Sequence, residues 1–319
     1  DRLYLNDRMG NFMRAASIEI NGDKMESTSF VRSSDFNNDG LPDLLIGIRA
    51  DPFKYGVNTN AYLLLNQGNG LFLDVTKTMA PEFYSLGMLS DAAVIDFDAD
   101  GDLDILFAAE WSTLQYFRNE NGKFINSTRD VGLHKFSGKW HSLAGVDVNH
   151  DGFPDIVAGN TGLNGMYTGD KNGDTEQIIC KQIDGKDFPL ALYPDITKQM
   201  PMLKKKFTDF DSYKLASVQE LFSGNLIRAS IKSQINYSFS TVFINERGAK
   251  FSSVELPWQA QLTPLYSILP LDLNGDGHTD LLLGGNQTKI KPEWGSINST
   301  FGITLLGKGD GTFVHLPNQ

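Results

Sequence analysis

The sequence predicts an all-β chain, a β-propeller of four-stranded antiparallel blades, six or seven in number, with room for an incomplete set in this chain. Two observations lead there. A nine-residue pattern with oxygen-bearing side chains at positions 1, 3, 5 and 9 and glycine at 6 recurs between short apolar runs. Between its copies lies a second pattern, in which an apolar run passes through an Asn/Gly turn to an aromatic residue. The combined unit reads strand, loop, strand, strand, hairpin turn, strand. Four antiparallel strands repeating at about 50 residues are what a propeller blade requires.

The whole of 1–319 reads as one such domain. A hairpin at 1–20 comes first, from Leu3-Tyr4-Leu5-Asn6 through Gly10 to Phe12, with no loop before it. It is either half of a preceding blade or the partner of a two-stranded third blade. The first full unit, about 27–76, carries Asp35, Asn37, Asp39, Gly40 and Asp43 between Phe30-Val31 and Leu44-Leu45-Ile46. Its hairpin runs from Tyr62 to Asn66 and through Gly68 and Gly70 to Phe72. The second, about 89–128, carries Asp96, Asp98, Asp100, Gly101 and Asp104, then Tyr116 to Asn119, Gly122 and Phe124. The third, about 139–165, carries Asp147, Asn149, Asp151, Gly152 and Asp155 before Ile156-Val157. These apolar runs are too short for helices and read as buried strands.

The fourth unit, about 166–256, has a degenerate loop of Thr168, Asp170, Asn172, Gly173 and Glu176, and a hairpin from Val242 to Phe251. Within it, alternation stops from Pro194 to Phe222. Pro201 suits a first helical turn, and Ser217 with Glu220 forms a capping box, so a helical insertion is expected at about 194–223. Lys204-Lys205-Lys206 reads as its solvated face. The last unit, about 263–319, carries Asp272, Asn274, Asp276, Gly277 and Asp280 between Ile268-Leu269 and Leu281-Leu282-Leu283.

An oxygen at every second residue can curl round one hard cation, with glycine taking the left-handed turn. Backbone carbonyls at position 7 (Leu41, Asp102, Phe153, Asp174 and His278) are expected to add ligands, and the position-9 acid to close the shell. Oxygen-only donors suit calcium, and up to five structural Ca2+ ions are expected. Magnesium is a poor rival because it demands tight octahedral geometry. The formal net charge is −11, and five dications would leave about −1, so the acidity is mostly ligand charge. Nucleic acid is therefore an unsuitable partner. No apolar run approaches the roughly 20 residues of a membrane span. A single cysteine, Cys180, excludes an intramolecular disulfide. Asp1 reads as the start of a mature or trimmed segment. Weak calcium modules suit millimolar calcium, hence an extracellular, cell-surface or periplasmic setting.

The pattern Asp-x-Asn-x-Asp-Gly-x-x-Asp, an apolar strand and then Gly-x-Gly-x-Phe resembles the FG-GAP (VCBS) repeat of integrin α-subunit propellers and many bacterial surface proteins. The resemblance covers residues 1–160 and 235–319. Gly159 to Asn164 and Met202 to Phe207 look like large Bacteroidetes-type members. It implies a calcium-stabilised propeller and does not transfer a ligand.

Function at this stage is a choice between classes. The leading reading is a non-enzymatic module that presents one propeller face to a protein or a glycan. Loops between strands 2 and 3 lie opposite the calcium rim. Fourteen residues on from each loop start stand Arg49, Glu110, Thr161 and Asn286, with Trp111 and Asn160 beside them. For any one of these, a polar strand end is the plainer reading. The alternative is a calcium-dependent polysaccharide lyase, whose base and cation would come from His134, His141, His150, His278 or Lys139, none of them in a recognisable catalytic motif. A propeller lectin would need a pocket repeated in each blade, and Trp111, Trp140, Trp258 and Trp294 do not recur in register.

Overall fold

A computed structural model of the chain describes residues 3–15, 26–51, 56–165, 175–183, 186–190, 203–206, 220, 222, 224–288 and 296–317. Strands β1 (Tyr4–Asn6) and β2 (Phe12–Arg14) form the opening hairpin. Blade 1 is β3 (Ser27–Ser34), β4 (Asp43–Ala50), β5 (Ala61–Asn66) and β6 (Phe72–Asp74), paired in that order. Blade 2 is β7 (Met88–Ile95), β8 (Asp104–Thr113), β9 (Gln115–Glu120) and β10 (Lys123–Asn126). A fifth strand, β11 (Ser137–Lys139), pairs with the far end of β8.

Blade 3 departs from the sequence reading. Its inner strands are β12 (Ser142–Val146) and β13 (Asp155–Gly159). The outer hairpin, however, is β17 (Thr241–Asn245) and β18 (Phe251–Glu255), with Val157 opposite Val242. The units expected at 139–165 and 166–256 are thus one blade, interrupted at its strand 2–3 connection by residues 160–240. Within that insertion β14 (Thr175–Ile183), β15 (Lys186–Leu190) and β16 (Ile231–Ile235) form a separate three-stranded sheet. The reason is that a hairpin pairs with whichever strand offers a free edge and a matching apolar face, and β13 offers both. Of the expected helical insertion, α2 (Leu203–Lys206) is described; α1 (Thr76–Met79) links blades 1 and 2, and α3 (Gly224–Ala229) precedes β16. Blade 4 is β19 (Ser267–Leu271), β20 (Asp280–Gly284), β21 (Ile303–Gly307) and β22 (Phe313–Leu316).

Strand alternation builds the interfaces between blades. The residue two beyond each closing aspartate packs toward the following blade: Leu45 against blade 2, Leu106 against blade 3 and Val157 against blade 4. Residues one and three beyond pack backward, as Ile105 and Phe107, Ile156 and Ala158, and Leu281 and Leu283 show. Phe83 fills the wedge between blades 1 and 2, edge-on to Phe107 and Phe117 with centroids 5.1 and 5.0 Å away.

Close approach of the hairpin turns reveals where β1–β2 belongs. A Cβ on Gly311 of blade 4 would sit 2.7 Å from Ile244 of blade 3, and one on Gly70 of blade 1 would sit 3.0 Å from Leu5. Ile244 and Leu5 each precede the asparagine that ends its strand. The opening hairpin therefore stands to blade 1 as the outer half of blade 3 stands to blade 4.

Two strand-end asparagines, Asn119 and Asn245, are braces that the sequence reading passed over. Asn119 donates from Nδ2 to Leu103 O and to Phe36 O of the preceding blade, at 3.2 and 3.4 Å. Asn245 does the same to Pro154 O and Phe97 O, at 3.0 and 2.7 Å, while its Oδ1 accepts the Gly248 N–H. Asn245→Ala is expected to lower stability by about 2 kcal/mol by leaving buried carbonyls unpaired. Denaturant unfolding in excess calcium checks this; an unchanged midpoint would show that water replaces the amide.

Candidate metal centres and the opposite face

Each full loop connects strands 1 and 2 of its blade at one end, and the four share one hydrogen-bond scheme. The position-1 aspartate accepts the N–H of the position-6 glycine: Gly40 to Asp35 at 2.7 Å, Gly101 to Asp96 and Gly152 to Asp147 at 2.9 Å, and Gly277 to Asp272 at 3.0 Å. The position-5 aspartate accepts the N–H of position 7, from Leu41, Asp102, Phe153 and His278. Position 3 accepts the position-5 N–H where it is Asn37, Asn149 or Asn274. The glycines have φ between 84° and 97°. Position 4 is left-handed as well, at Asn38, Ala99, His150 and Gly275. A single chain of turns thus bends the oxygens inward before any ion is considered.

The closing aspartates do more than close a shell. Asp43, Asp104, Asp155 and Asp280 are each fully buried. One oxygen accepts the position-2 N–H (Phe36, Phe97, Val148 and Leu273). The other accepts an N–H from strand 3 (Asn66, Asn119, Asn245 and Gly307). Each carboxylate therefore staples its loop to the outer hairpin of its own blade. A carboxylate oxygen has two lone pairs, so this does not exhaust its capacity.

Blade 2 has the most acidic loop. Asp96, Asp98 and Asp104 each offer a carboxylate oxygen, all within 4.8 Å of one another. Oδ1 of Asp98 is buried and accepts no hydrogen bond. A buried carboxylate oxygen with nothing donating to it costs free energy unless a cation satisfies it. The donor set is all oxygen, which fits calcium or another hard cation. Burial raises the Asp104 pKa to about 6, with Asp98 adding to it, and burial likewise raises Asp155 to about 6 beside Asp147 and Asp151. Burial, then Asp100 and Asp96, raise that of Asp98.

A pH dependence follows, because protons compete with a cation for the same oxygens. Above about pH 6 both closing carboxylates are ionised and ready to bind; below it they are protonated. Affinity for a hard cation at these two loops is expected to fall about tenfold between pH 7.5 and 5. Calorimetric titrations at the two pH values test it, and equal affinities would count against these residues as ligands.

Of the fifth loop, Thr168, Asp170, Asn172 and Asp174 lie outside the described residues, while Glu176 stands in β14, opposite Gln234. That strand belongs to the insertion and not to a blade. His150 and His278, expected as solvated loop positions, meet between blades 3 and 4, with His278 Nδ1 3.4 Å from His150 Nε2.

At the other end of the strands the structure gathers some of the residues the sequence singled out and disperses others. Arg49 at the end of β4 donates from Nη2 to Glu110 Oε1 on β8 at 2.7 Å. His141 Nδ1 lies 3.7 Å from the same oxygen, and its ring lies 4.6 Å from that of Tyr266. The Lys139 ammonium lies 5.8 Å from the Trp111 ring centroid. Glu110 is buried, yet Lys139, Arg49 and His141 together outweigh that desolvation and hold its pKa down at about 2. Burial lowers His141 to about 4. Asn160 and Thr161 are not part of this cluster: both are buried, and Asn160 Oδ1 accepts the N–H groups of Lys139 and Thr161. Asn160 braces the insertion where it leaves blade 3, so a ligand has no access to it. Asn286 is exposed but bound to its own loop at Ser299 and Thr300.

A sequence model described as FG-GAP-like repeat matches residues 35–107 and 96–158, a span that runs from the blade 1 loop through blade 2 into β13 of blade 3. Residues 35–158 carry FG-GAP-like repeats. Integrin alpha-3 of Cricetulus griseus is 28% identical over 148 residues, 41% of this chain and 14% of that protein. The chain thus spans about one seventh of the curated relative it matches. The matched repeats hold three of the four loops described above. Among the described residues, no helix is long and apolar enough to cross a membrane.

Proposed function

We propose that this chain is a calcium-stabilised β-propeller that acts as a non-enzymatic binding or adhesion module outside the cytosol. In this reading the loops hold structural Ca2+ ions, and the opposite face meets a protein or a glycan. The observation that carries the calcium half is the buried Asp98 Oδ1, which accepts no hydrogen bond within a cluster of three carboxylates. Support for the binding half comes from the FG-GAP-like repeats and the similarity to an integrin α chain. Up to five ions fit the sequence. The fifth site is the weakest, because Thr168 brings no charge and calcium affinity falls with ligand charge.

Calcium here supplies positive charge among crowded carboxylates and ties the strand 1–2 loops shut; the chain's own N–H groups already set the loop shape. A protein and glycan array probed with and without EDTA tests the module. Binding that is retained in calcium and lost in EDTA, with every bound ligand recovered intact, is expected. Chemical conversion of a ligand would overturn the non-enzymatic reading.

A further inference from the structure

Neighbouring loops meet through a fixed pair of positions. Where blade 1 touches blade 2, position 4 of one loop reaches position 7 of the next: Asn38 Nδ2 donates to Asp102 Oδ1 at 3.0 Å. Where blade 3 touches blade 4, the same two positions hold His150 and His278, with Nε2 of the first 3.4 Å from Nδ1 of the second. We propose that this histidine pair is a zinc site, chemically distinct from the oxygen loops, in which one Zn2+ bridges the two imidazoles and clips blade 3 to blade 4. The proposal goes beyond the calcium reading and does not need the loops to be filled.

The separation is the first argument. Hydrogen bonds from N–H groups to oxygen gather at about 2.7–3.2 Å, so 3.4 Å is a loose distance for a direct bond between the rings. Zinc binds imidazole nitrogen at about 2.0–2.1 Å, and two such ligands at a tetrahedral angle stand about 3.3–3.4 Å apart. The two nitrogens therefore already have the spacing of zinc ligands. The rings are tilted by 39°, with centroids 5.6 Å apart, and are not stacked face to face.

Both rings are held in place by the chain around them. His150 is exposed on a left-handed turn with φ of 60°. His278 spends its backbone N–H inside the loop, on Asp276 Oδ1 at 2.8 Å, and its ring stands outside that scheme. The ring is seated on the β21–β22 turn, where a Cβ on Gly309 would lie 2.4 Å from its Nδ1. Ligands positioned before binding lose less freedom when the metal arrives.

Donor type selects the metal. Calcium takes oxygen, whereas imidazole nitrogen suits zinc, copper and nickel. Zinc accepts a tetrahedron and has no redox chemistry. With two ligands from these rings, solvent takes the remaining positions and the ion is exchangeable.

The test titrates the full chain with zinc chloride by calorimetry, in saturating calcium so that zinc does not compete for the oxygen loops. One zinc per chain is expected. Affinity falls about tenfold or more in His150→Gln and in His278→Gln, because each removes one of two protein ligands. It is unchanged in His134→Gln, whose exposed ring lies elsewhere. Zinc raises the melting temperature of the parent and of neither pair variant, since only the parent joins two blades through the ion. Crystals soaked in zinc show an anomalous difference peak between the two rings. Should His278→Gln not fold, the exposed His150→Gln carries the test. No zinc binding, equal binding by the parent and the pair variants, or a zinc peak within an oxygen loop and none between the rings would each overturn the proposal.

Discussion

Saturating calcium is expected to raise the melting temperature of this protein by about 10 °C over EDTA, with magnesium giving little of that rise. An ion that binds only the folded state, at ten times its dissociation constant, stabilises it by about 1.4 kcal/mol. Four full loops then contribute about 6 kcal/mol, and a chain of 319 residues, at an unfolding entropy of about 2.1 cal/mol/K per residue, gains about 1.5 °C per kcal/mol. The source of the effect is local. In the blade 2 loop Asp96, Asp98 and Asp104 stand within 4.8 Å of one another, and a dication turns their mutual repulsion into attraction. Magnesium sheds its water reluctantly and demands closer octahedral ligands. Coincident melts in EDTA and calcium would sink the proposal.

Asp104→Ala is expected to be the most damaging single change in the loops, and to damage the protein even without calcium. The side chain is fully buried and accepts three hydrogen bonds, from Phe97 N–H at 3.1 Å, Asn119 N–H at 2.8 Å and the Tyr116 hydroxyl at 2.7 Å. Alanine leaves all three donors unpaired in a dry site, at a cost of about 3–5 kcal/mol. Asp96→Ala is the control. Its carboxylate accepts the N–H groups of Asp100 and Gly101 in an exposed part of the loop, where water replaces it. Urea unfolding in EDTA is therefore expected to shift strongly for Asp104→Ala and little for Asp96→Ala, whereas both lose the calcium increment. Equal shifts in EDTA would mean that the closing aspartate acts only as a ligand.

The four loops and the strands beside them were legible because their determinants are local. Asp35 to Asp43 encodes a turn through oxygen spacing and Gly40, and Leu44-Leu45-Ile46 encodes a strand through its apolar run; neither depends on distant residues. The left-handed residue at position 4 was less visible, since Asn38, Ala99, His150 and Gly275 share no side-chain chemistry. Blade 3 was misread for a topological reason. Hairpin β17–β18 carries the expected pattern, but nothing within it says that its partner is β13, on the far side of residues 160–240.

Spacing within about ten residues was enough to encode the blade type, the loop positions and the run of oxygen-bearing side chains along each loop. The tertiary structure alone decided which strands share a blade, that Asn119 and Asn245 brace neighbouring blades, and that Asn160 is buried while Arg49, Glu110, His141 and Tyr266 meet. The physical reason is the same in each case. Pairing, burial and charge convergence are set by where distant segments are packed, and side-chain chemistry read along the chain does not contain that distance.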